Sequence, residues 1–191
     1  HVSAEYLAHA HYPTAMINES VLDCADTIAH SGKNNWVIVG NLPYNVTFPI
    51  LKWLVRLKEH CSAAAFMVQE EVAQRVVATG GRDLGAVSVF LQHHFTWQLG
   101  EKIPPTAFYP APKVQSRILY AYPKVSPVIP QEEKYWRFVE MLFKFPRRTI
   151  RNNLKAGCLP TEGFGAEILD LRSQQLSTDQ FLKLWLDIQA A

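Results

Sequence analysis

The sequence predicts an α/β domain with a mainly parallel sheet, followed by a small all-helical domain. Three observations carry this. Short apolar runs of strand length alternate with segments of helical period through the first part of the chain. A proline-punctuated stretch, PKVSPVIP at residues 123–130, then breaks the composition as a stiff linker does. Beyond it no strand pattern returns. The expected boundaries are residues 1–124 for the α/β domain, 125–130 for the linker and 131–191 for the helical domain.

The elements follow in order. Glu5 to His11 reads as a helix. Trp36-Val37-Ile38-Val39, ending at Gly40, is a short continuous apolar run, as expected of a strand buried on both faces. Thr47 and Pro49 suit a helix opening, and Ile50, Leu51, Leu54, Val55 and Leu57 follow at helical spacing. Ala63 to Val68 reads as the next strand. Glu70 to Ala78 reads as a helix with acids in its first turn, where the helix dipole favours them. TGGRDLG (79–85) is expected to be a flexible loop, Ala86 to His94 a helix and Thr96 to Ile103 a strand. Val114 to Ala121 alternates with period two, placing Val114, Ser116, Ile118 and Tyr120 on one face. After the linker, Trp136, Val139, Leu142 and Phe143 make one helical face, and Ile150 and Leu154 another. Ser177-Thr178-Asp179-Gln180 is a capping-box pattern opening a helix with Phe181, Leu182, Trp185 and Ile188.

Composition excludes some classes. Of 191 residues, 48% are hydrophobic and 19% charged, enough for a sizeable core and too little charge for a disordered chain. No run of about 18 apolar residues exists to span a membrane. The start, HVSAEYLAHAHYP, lacks the basic and apolar regions of a signal peptide. Cys24, Cys61 and Cys158 lie 37 and 97 residues apart, neither a zinc spacing nor an even disulfide set, so a cytoplasmic location is expected. The seven histidines show no metal-ligand spacing, and the adjacent His93 and His94 point about 100° apart on a helix. No metal is expected. Trp53, Trp97, Trp136 and Trp185 occupy apolar positions and are expected in the core. Net charge is +2, so only the distribution of charge bears on a nucleic-acid partner.

The strongest chemical signal is Asn41-Leu42-Pro43-Tyr44, directly after an apolar strand. In open α/β sheets ligands sit beyond the carboxyl ends of strands. An asparagine amide and a backbone carbonyl can accept hydrogen bonds from an exocyclic amino group, and Tyr44 offers a stacking face. The alternative is a turn whose asparagine satisfies local backbone while the tyrosine packs inward. The order strand–NLPY–helix favours the site. A second signal is the spacing of Lys144, Arg147, Arg148, Arg151 and Lys155, with no acid between the first and the last. On a helix these form one basic stripe suited to phosphates; the alternative is a solvated helix face.

Asn-Leu-Pro-Tyr in this place resembles motif IV of class I (Rossmann-like) S-adenosylmethionine-dependent N6-adenine methyltransferases. Two further segments narrow the likeness. PPTAFYPAPKVQS at 104–116 resembles the P-P-x-A-F-x-P-x-P-K-V-x-S signature of ribosomal RNA adenine dimethyltransferases of the KsgA/RsmA type, and RRTIRNNL at 147–154 resembles a motif of their C-terminal domain. The three occur in family order, and the resemblance runs from about Val21 to the end. It implies a class I methyltransferase domain followed by a helical RNA-binding domain. No G-x-G-x-x-G is present. The chain is therefore expected to lack the family's first strand and glycine-rich loop, starting just after the ribose-binding position.

The resemblance implies S-adenosylmethionine as cofactor, with Asp23, Cys24 and Asn41 at its site and Asp23 accepting a hydrogen bond from the cofactor's adenine. It implies that Asn41 and the Leu42 carbonyl hold the target N6. Pro43 stiffens the loop, and Tyr44 and Phe108 sandwich a flipped-out adenine. A role confined to the ring face predicts that Tyr44→Phe keeps much of the activity. Lys113, Lys144, Arg147, Arg148, Arg151 and Lys155 are the implied RNA contacts. The implied substrate is small-subunit ribosomal RNA within an immature small ribosomal subunit, bound by a monomer. Two adjacent adenines near the 3′ end of 16S rRNA would become N6,N6-dimethyladenosine during ribosome biogenesis. The alternatives are a non-catalytic RNA-binding assembly factor of the same fold and the sister family that methylates large-subunit RNA.

Overall fold

The structure, a computed structural model, describes residues 20–29 and 35–190; the helix expected at Glu5 to His11 lies outside them. A turn at 21–24 leads into the short helix α1 (Ala25–Ala29). Strand β1 (Trp36–Asn41) is followed by a 3-10 turn at Tyr44–Val46, helix α2 (Thr47–Arg56), strand β2 (Cys61–Gln69) and helix α3 (Glu70–Val77). Next come helix α4 (Ala86–His94) and strands β3 (Phe95–Ile103) and β4 (Ser116–Pro123).

Among the described residues four strands form one sheet, in the order β1-β2-β4-β3. β1 and β2 are parallel, with Asn41 opposite Met67, but β4 is antiparallel to both β2 and β3. The sheet is therefore mixed, whereas a mainly parallel one was expected. The reason is local. Residues 104–115, between β3 and β4, hold only a short 3-10 turn at Pro105–Ala107, and without a crossover helix adjacent strands must run antiparallel. β1, β2 and β3 keep one common direction, and β4 returns between β2 and β3.

One further expectation concerns the faces of a strand. Val37 and Val39 of β1 are 64% and 76% exposed while Ile38 packs against the core, so the described elements cover one face of this strand. An apolar run does not reveal whether both of its faces are covered. In β4 Ser116, Leu119 and Ala121 are buried while Tyr120 and Tyr122 are exposed, so of the expected row Val114, Ser116, Ile118 and Tyr120 only Ser116 is fully buried.

The first core packs Leu51, Leu54, Phe66, Val68, Leu91 and Leu119 between the helices and the sheet. Each such side chain contributes about 1.5–3 kcal/mol by leaving water. The loop 79–85, expected to be flexible, is docked. Leu84 is buried in the second core, the Gly81 N–H donates to the Gln174 carbonyl at 2.9 Å, and Gln174 Nε2 donates to the Arg82 carbonyl at 3.2 Å.

After β4 the chain is extended to helix α5 (Glu132–Phe143), with Val125 and Val128 almost fully exposed. Helices α6 (Ile150–Ala156), α7 (Ala166–Leu169) and α8 (Thr178–Ala190) complete the described chain. Tyr135, Phe138, Leu142, Leu154, Phe181 and Trp185 share the second core, which also takes Val89 from α4. The capping box opening α8 forms as its residues predict: the Gln180 N–H donates to Ser177 Oγ at 3.3 Å and the Ser177 N–H to Gln180 Oε1 at 2.8 Å. The expected basic stripe does not form one helix. Residues 144–149 are turns between α5 and α6, because Pro146 disfavours helix at Phe145 and Thr149 starts a new helix with its side chain as cap.

Candidate active site

The carboxyl end of β1 builds one wall of a cleft. Gly40 lets two side chains pack close against the strand there: a Cβ at this position would stand 3.0 Å from Leu42 Cδ2 and 3.3 Å from Phe66 Cδ1. The buried Leu42 side chain folds back over that gap, and its N–H donates to the Met67 carbonyl at 3.1 Å, tying the NLPY turn to the end of β2. Thr47, expected only as a helix opener, does more. Its buried hydroxyl donates to the Pro43 carbonyl at 3.1 Å and lies 3.4 Å from that of Tyr44. Tyr44 is held at its other end as well, its phenol oxygen 2.8 Å from Ser116 Oγ.

The segment after β3 builds the facing wall. The Phe108 N–H donates to the Pro105 carbonyl at 3.1 Å, closing a turn that presents a half-buried ring. Asn41, Leu42, Pro43, Tyr44 and Phe108 line one open cavity of about 360 Å³, completed by Tyr109, Pro110 and Pro112. All five residues expected at the reacting centre thus come together from two distant segments. None of the lining residues carries a formal charge. The cleft offers amide and carbonyl acceptors together with aromatic and proline surfaces, a set suited to a planar amine that donates.

A charged cluster stands behind it. The Glu70 N–H donates to the Gln115 carbonyl at 2.9 Å, one residue before Ser116. Glu70 Oε1 accepts from Gln74 Nε2 at 2.8 Å and Arg117 Nη1 at 3.1 Å, with Lys102 Nζ at 3.4 Å. Burial alone would raise the Glu70 pKa, but Gln74, Arg117 and Lys102 together outweigh it and hold the carboxyl below its ordinary range. Glu70 therefore does more than complement the dipole of α3; it locks that helix to the start of β4.

The remaining expected residues lie elsewhere. Asp23 is exposed and Cys24 buried, its thiol donating to the Ser20 carbonyl at 3.3 Å, and neither lines the cavity. Lys113 is exposed one residue beyond Pro112. Lys144 and Arg148 lie over the Phe145 ring, at 5.8 Å and 4.1 Å from its centroid. Arg151 pairs with Asp170 at 3.0 Å, so an acid distant in sequence neutralises the middle of the expected stripe. Arg147 and Lys155 are exposed, with no ion-pair partner among the described residues. Trp53, Trp97 and Trp185 are buried as expected; Trp136 is half-buried against Phe90, His93 and His94.

Comparison with known proteins gives the same direction. The family described as "Ribosomal RNA adenine dimethylase" matches residues 8–180. The Ribosomal RNA small subunit methyltransferase A of Francisella tularensis subsp. novicida is 34% identical over 169 residues, covering 83% of this chain and 62% of the relative. The namesake from Francisella tularensis subsp. holarctica shows the same identity and coverage. This chain thus spans less than two thirds of the length of these relatives. Among solved structures, a dimethyladenosine transferase from Plasmodium falciparum is similar with TM-score 0.70 at 19% identity, covering 85% of this chain and 70% of that one. The 23S rRNA methyltransferase ErmE is similar with TM-score 0.57 at 23% identity, covering 83% of this chain and 68% of that one. At these identities the two structures establish the shared fold.

Proposed function

The chain belongs to the ribosomal RNA adenine dimethylase family and has its class I methyltransferase fold, and from that premise we propose that the protein it represents transfers methyl groups to N6 of adenine in small-subunit ribosomal RNA. The observation that carries this reading is the single cavity shared by Asn41, Tyr44 and Phe108. The cavity's lining suits an adenine drawn out of its stack: the Tyr44 and Phe108 rings offer stacking faces, and the Asn41 amide and Leu42 carbonyl offer acceptors for its amino group. Each stacking face is worth about 1–3 kcal/mol. The Asn41 amide oxygen and the Leu42 carbonyl accept the two N6 protons. That draws the nitrogen lone pair out of the ring and aims it across the cleft. After one methylation only one such proton is left, so the second round rests on a single acceptor and on the stacking faces. No residue lining the cavity is a strong base, and catalysis rests on positioning and preorganised dipoles.

Bound S-adenosylmethionine supplies a methyl group activated on a sulfonium. Asn41 borders the cavity where that group must arrive, and the exposed Asp23 carboxylate is the described acid expected to meet the cofactor's adenine. Cys24 beside it, buried with its thiol donating to the Ser20 carbonyl, is the second residue proposed at this end of the cofactor site. The product is N6,N6-dimethyladenosine at two adjacent adenines near the 3′ end of 16S rRNA, made on immature small subunits in the cytoplasm.

The test is methyl incorporation into immature small ribosomal subunits by the full-length protein, with the product nucleoside identified by mass. Wild type yields dimethyladenosine. Asn41→Ala nearly abolishes transfer while RNA affinity stays close to normal, since phosphate contacts carry most of that affinity. Binding of subunits with no methylation of any adenine would establish an assembly factor instead. Methylation confined to large-subunit RNA would assign the sister activity.

A further inference from the structure

We infer that Ser116 is a positioning residue for the base pocket: through the phenol of Tyr44 it sets the angle of one stacking wall. The inference rests on the adenine reading of the cleft and adds a residue to it. Ser116 is fully buried, and a buried hydroxyl is costly unless it is hydrogen-bonded. Its partner is Tyr44, 2.8 Å away and 72 residues earlier in the chain. Tyr44 is 38% exposed, with its ring lining the cavity. A half-exposed ring held only at its Cα would swing about two side-chain torsions. This one is held at both ends, by Ser116 at the phenol and by Thr47 beneath the Pro43 and Tyr44 carbonyls.

The anchor itself is rigid. Ser116 is the first residue of β4 and pairs with Gln69 of β2 on one side and Ile103 of β3 on the other. Its neighbours Gln115 and Arg117 are both bonded to Glu70, and Arg117 Nε also donates to the Gly100 carbonyl at 3.1 Å. Ser116 also ends the segment that carries Phe108. The hydrogen bond therefore joins the two walls of the pocket, so that their separation follows the register of the sheet. Preorganisation of this kind reduces the ordering cost when a base enters. It also changes what Tyr44→Phe should do. If only the ring face mattered, that substitution would be nearly silent. With Ser116 as anchor, it should match Ser116→Ala.

The experiment compares wild type, Ser116→Ala, Tyr44→Phe and the double variant of the full-length protein. Methyl transfer is followed over a range of rRNA concentrations, and quenching of 2-aminopurine ribonucleoside reports stacking in the pocket independently of any transfer. Each single variant is expected to lower kcat about three- to tenfold, the value of one hydrogen bond, with KM for rRNA unchanged. The double variant should be no slower than either single one, and quenching should weaken in all three. Losses that multiply in the double variant, or a Tyr44→Phe with wild-type kcat and quenching, would overturn the inference. Should Ser116→Ala fail to fold, Tyr44→Phe decides alone, because it removes the same bond and leaves the Ser116 packing untouched. A wild type that quenches 2-aminopurine but transfers no methyl group would refute the enzymatic reading, leaving Ser116 to be judged on the quenching series. A wild type that does not quench would overturn the role of Ser116 itself.

Discussion

His94, the last residue of α4, shows how one side chain sets a pH limit on the fold. Its ring packs edge-on against Phe90 and His93 and lies tilted over Trp136. Nε2 is buried without a hydrogen bond, and the Glu132 carboxylate, 3.8 Å away, is too far to supply one. Burial pulls the His94 pKa down to about 4, with His93, Lys58 and Lys124 adding to the effect and Glu132 opposing it. The neutral ring is native, whereas the unfolded chain takes up a proton near the ordinary value of about 6.5. Stability is therefore complete above that value and falls as pH drops from about 6.5 to about 4. The gap is worth at most ~3 kcal/mol. Melting temperature measured from pH 7.5 to pH 4.5 should drop more steeply for wild type than for His94→Phe, which keeps a ring and loses the titration. Parallel curves would remove His94 as the cause. The same scale separates what a sequence discloses from what it conceals. Asn41, Tyr44 and Phe108 were legible because each sits in a short motif whose chemistry is local. Thr47 and Ser116 were not, since their work depends on partners that only the fold brings within reach: a serine at the end of a strand and a threonine opening a helix look ordinary in isolation.

Among elements, the turn between α5 and α6 is the clearest departure from periodicity. Lys144, Arg147, Arg148, Arg151 and Lys155 have helical spacing, yet Pro146 and the Thr149 cap split the segment. The turn is built nonetheless. Asn153, buried in α6, donates to the Leu142 carbonyl at 3.0 Å, and Ser173 Oγ donates to the same carbonyl at 2.6 Å. Charge spacing alone could not disclose that Asp170 would return to Arg151. The pairing yields a graded expectation for the proposed RNA contact. Arg147→Ala and Lys155→Ala should each flatten the salt dependence of rRNA binding by about 0.7–0.9 in slope, the release accompanying one phosphate contact. Arg151→Ala should change it less, because its charge is already partly spent on Asp170. Filter binding across a salt series decides this; equal slopes for all three variants would restore the uniform stripe. Strand order was hidden for a related reason. Apolar runs marked β1 and β2, but the reversal of β4 depends on the absence of a crossover helix in residues 104–115, and the proline-rich motif there was legible only as a site.

Over the whole molecule, α4 is the joint. Leu91 on one side packs into the core beneath the sheet, while Val89, with Leu84 just before the helix, packs into the helical core. The aromatic cluster of Phe90, His93, His94 and Trp136 bridges α4 and α5. We propose that residues up to 124 and from 131 onward are two domains joined through this helix as well as through the chain at 125–130. Two covalently linked halves with a shared buried helix should unfold together, because separating them exposes Leu84, Val89 and half of the ring cluster to water. Limited proteolysis distinguishes this from a flexible pair. The backbone around Val125 and Val128, both almost fully exposed, is the expected point of attack. The loop 79–85 is expected to resist, although its glycines suggest otherwise, because Leu84 is buried and Gln174 holds both Gly81 and Arg82. After cleavage near Val125 the two fragments should still elute as one species under native conditions and separate only in denaturant. Fragments that part without denaturant, or a first cut within 79–85, would show that α4 does not hold the two cores together.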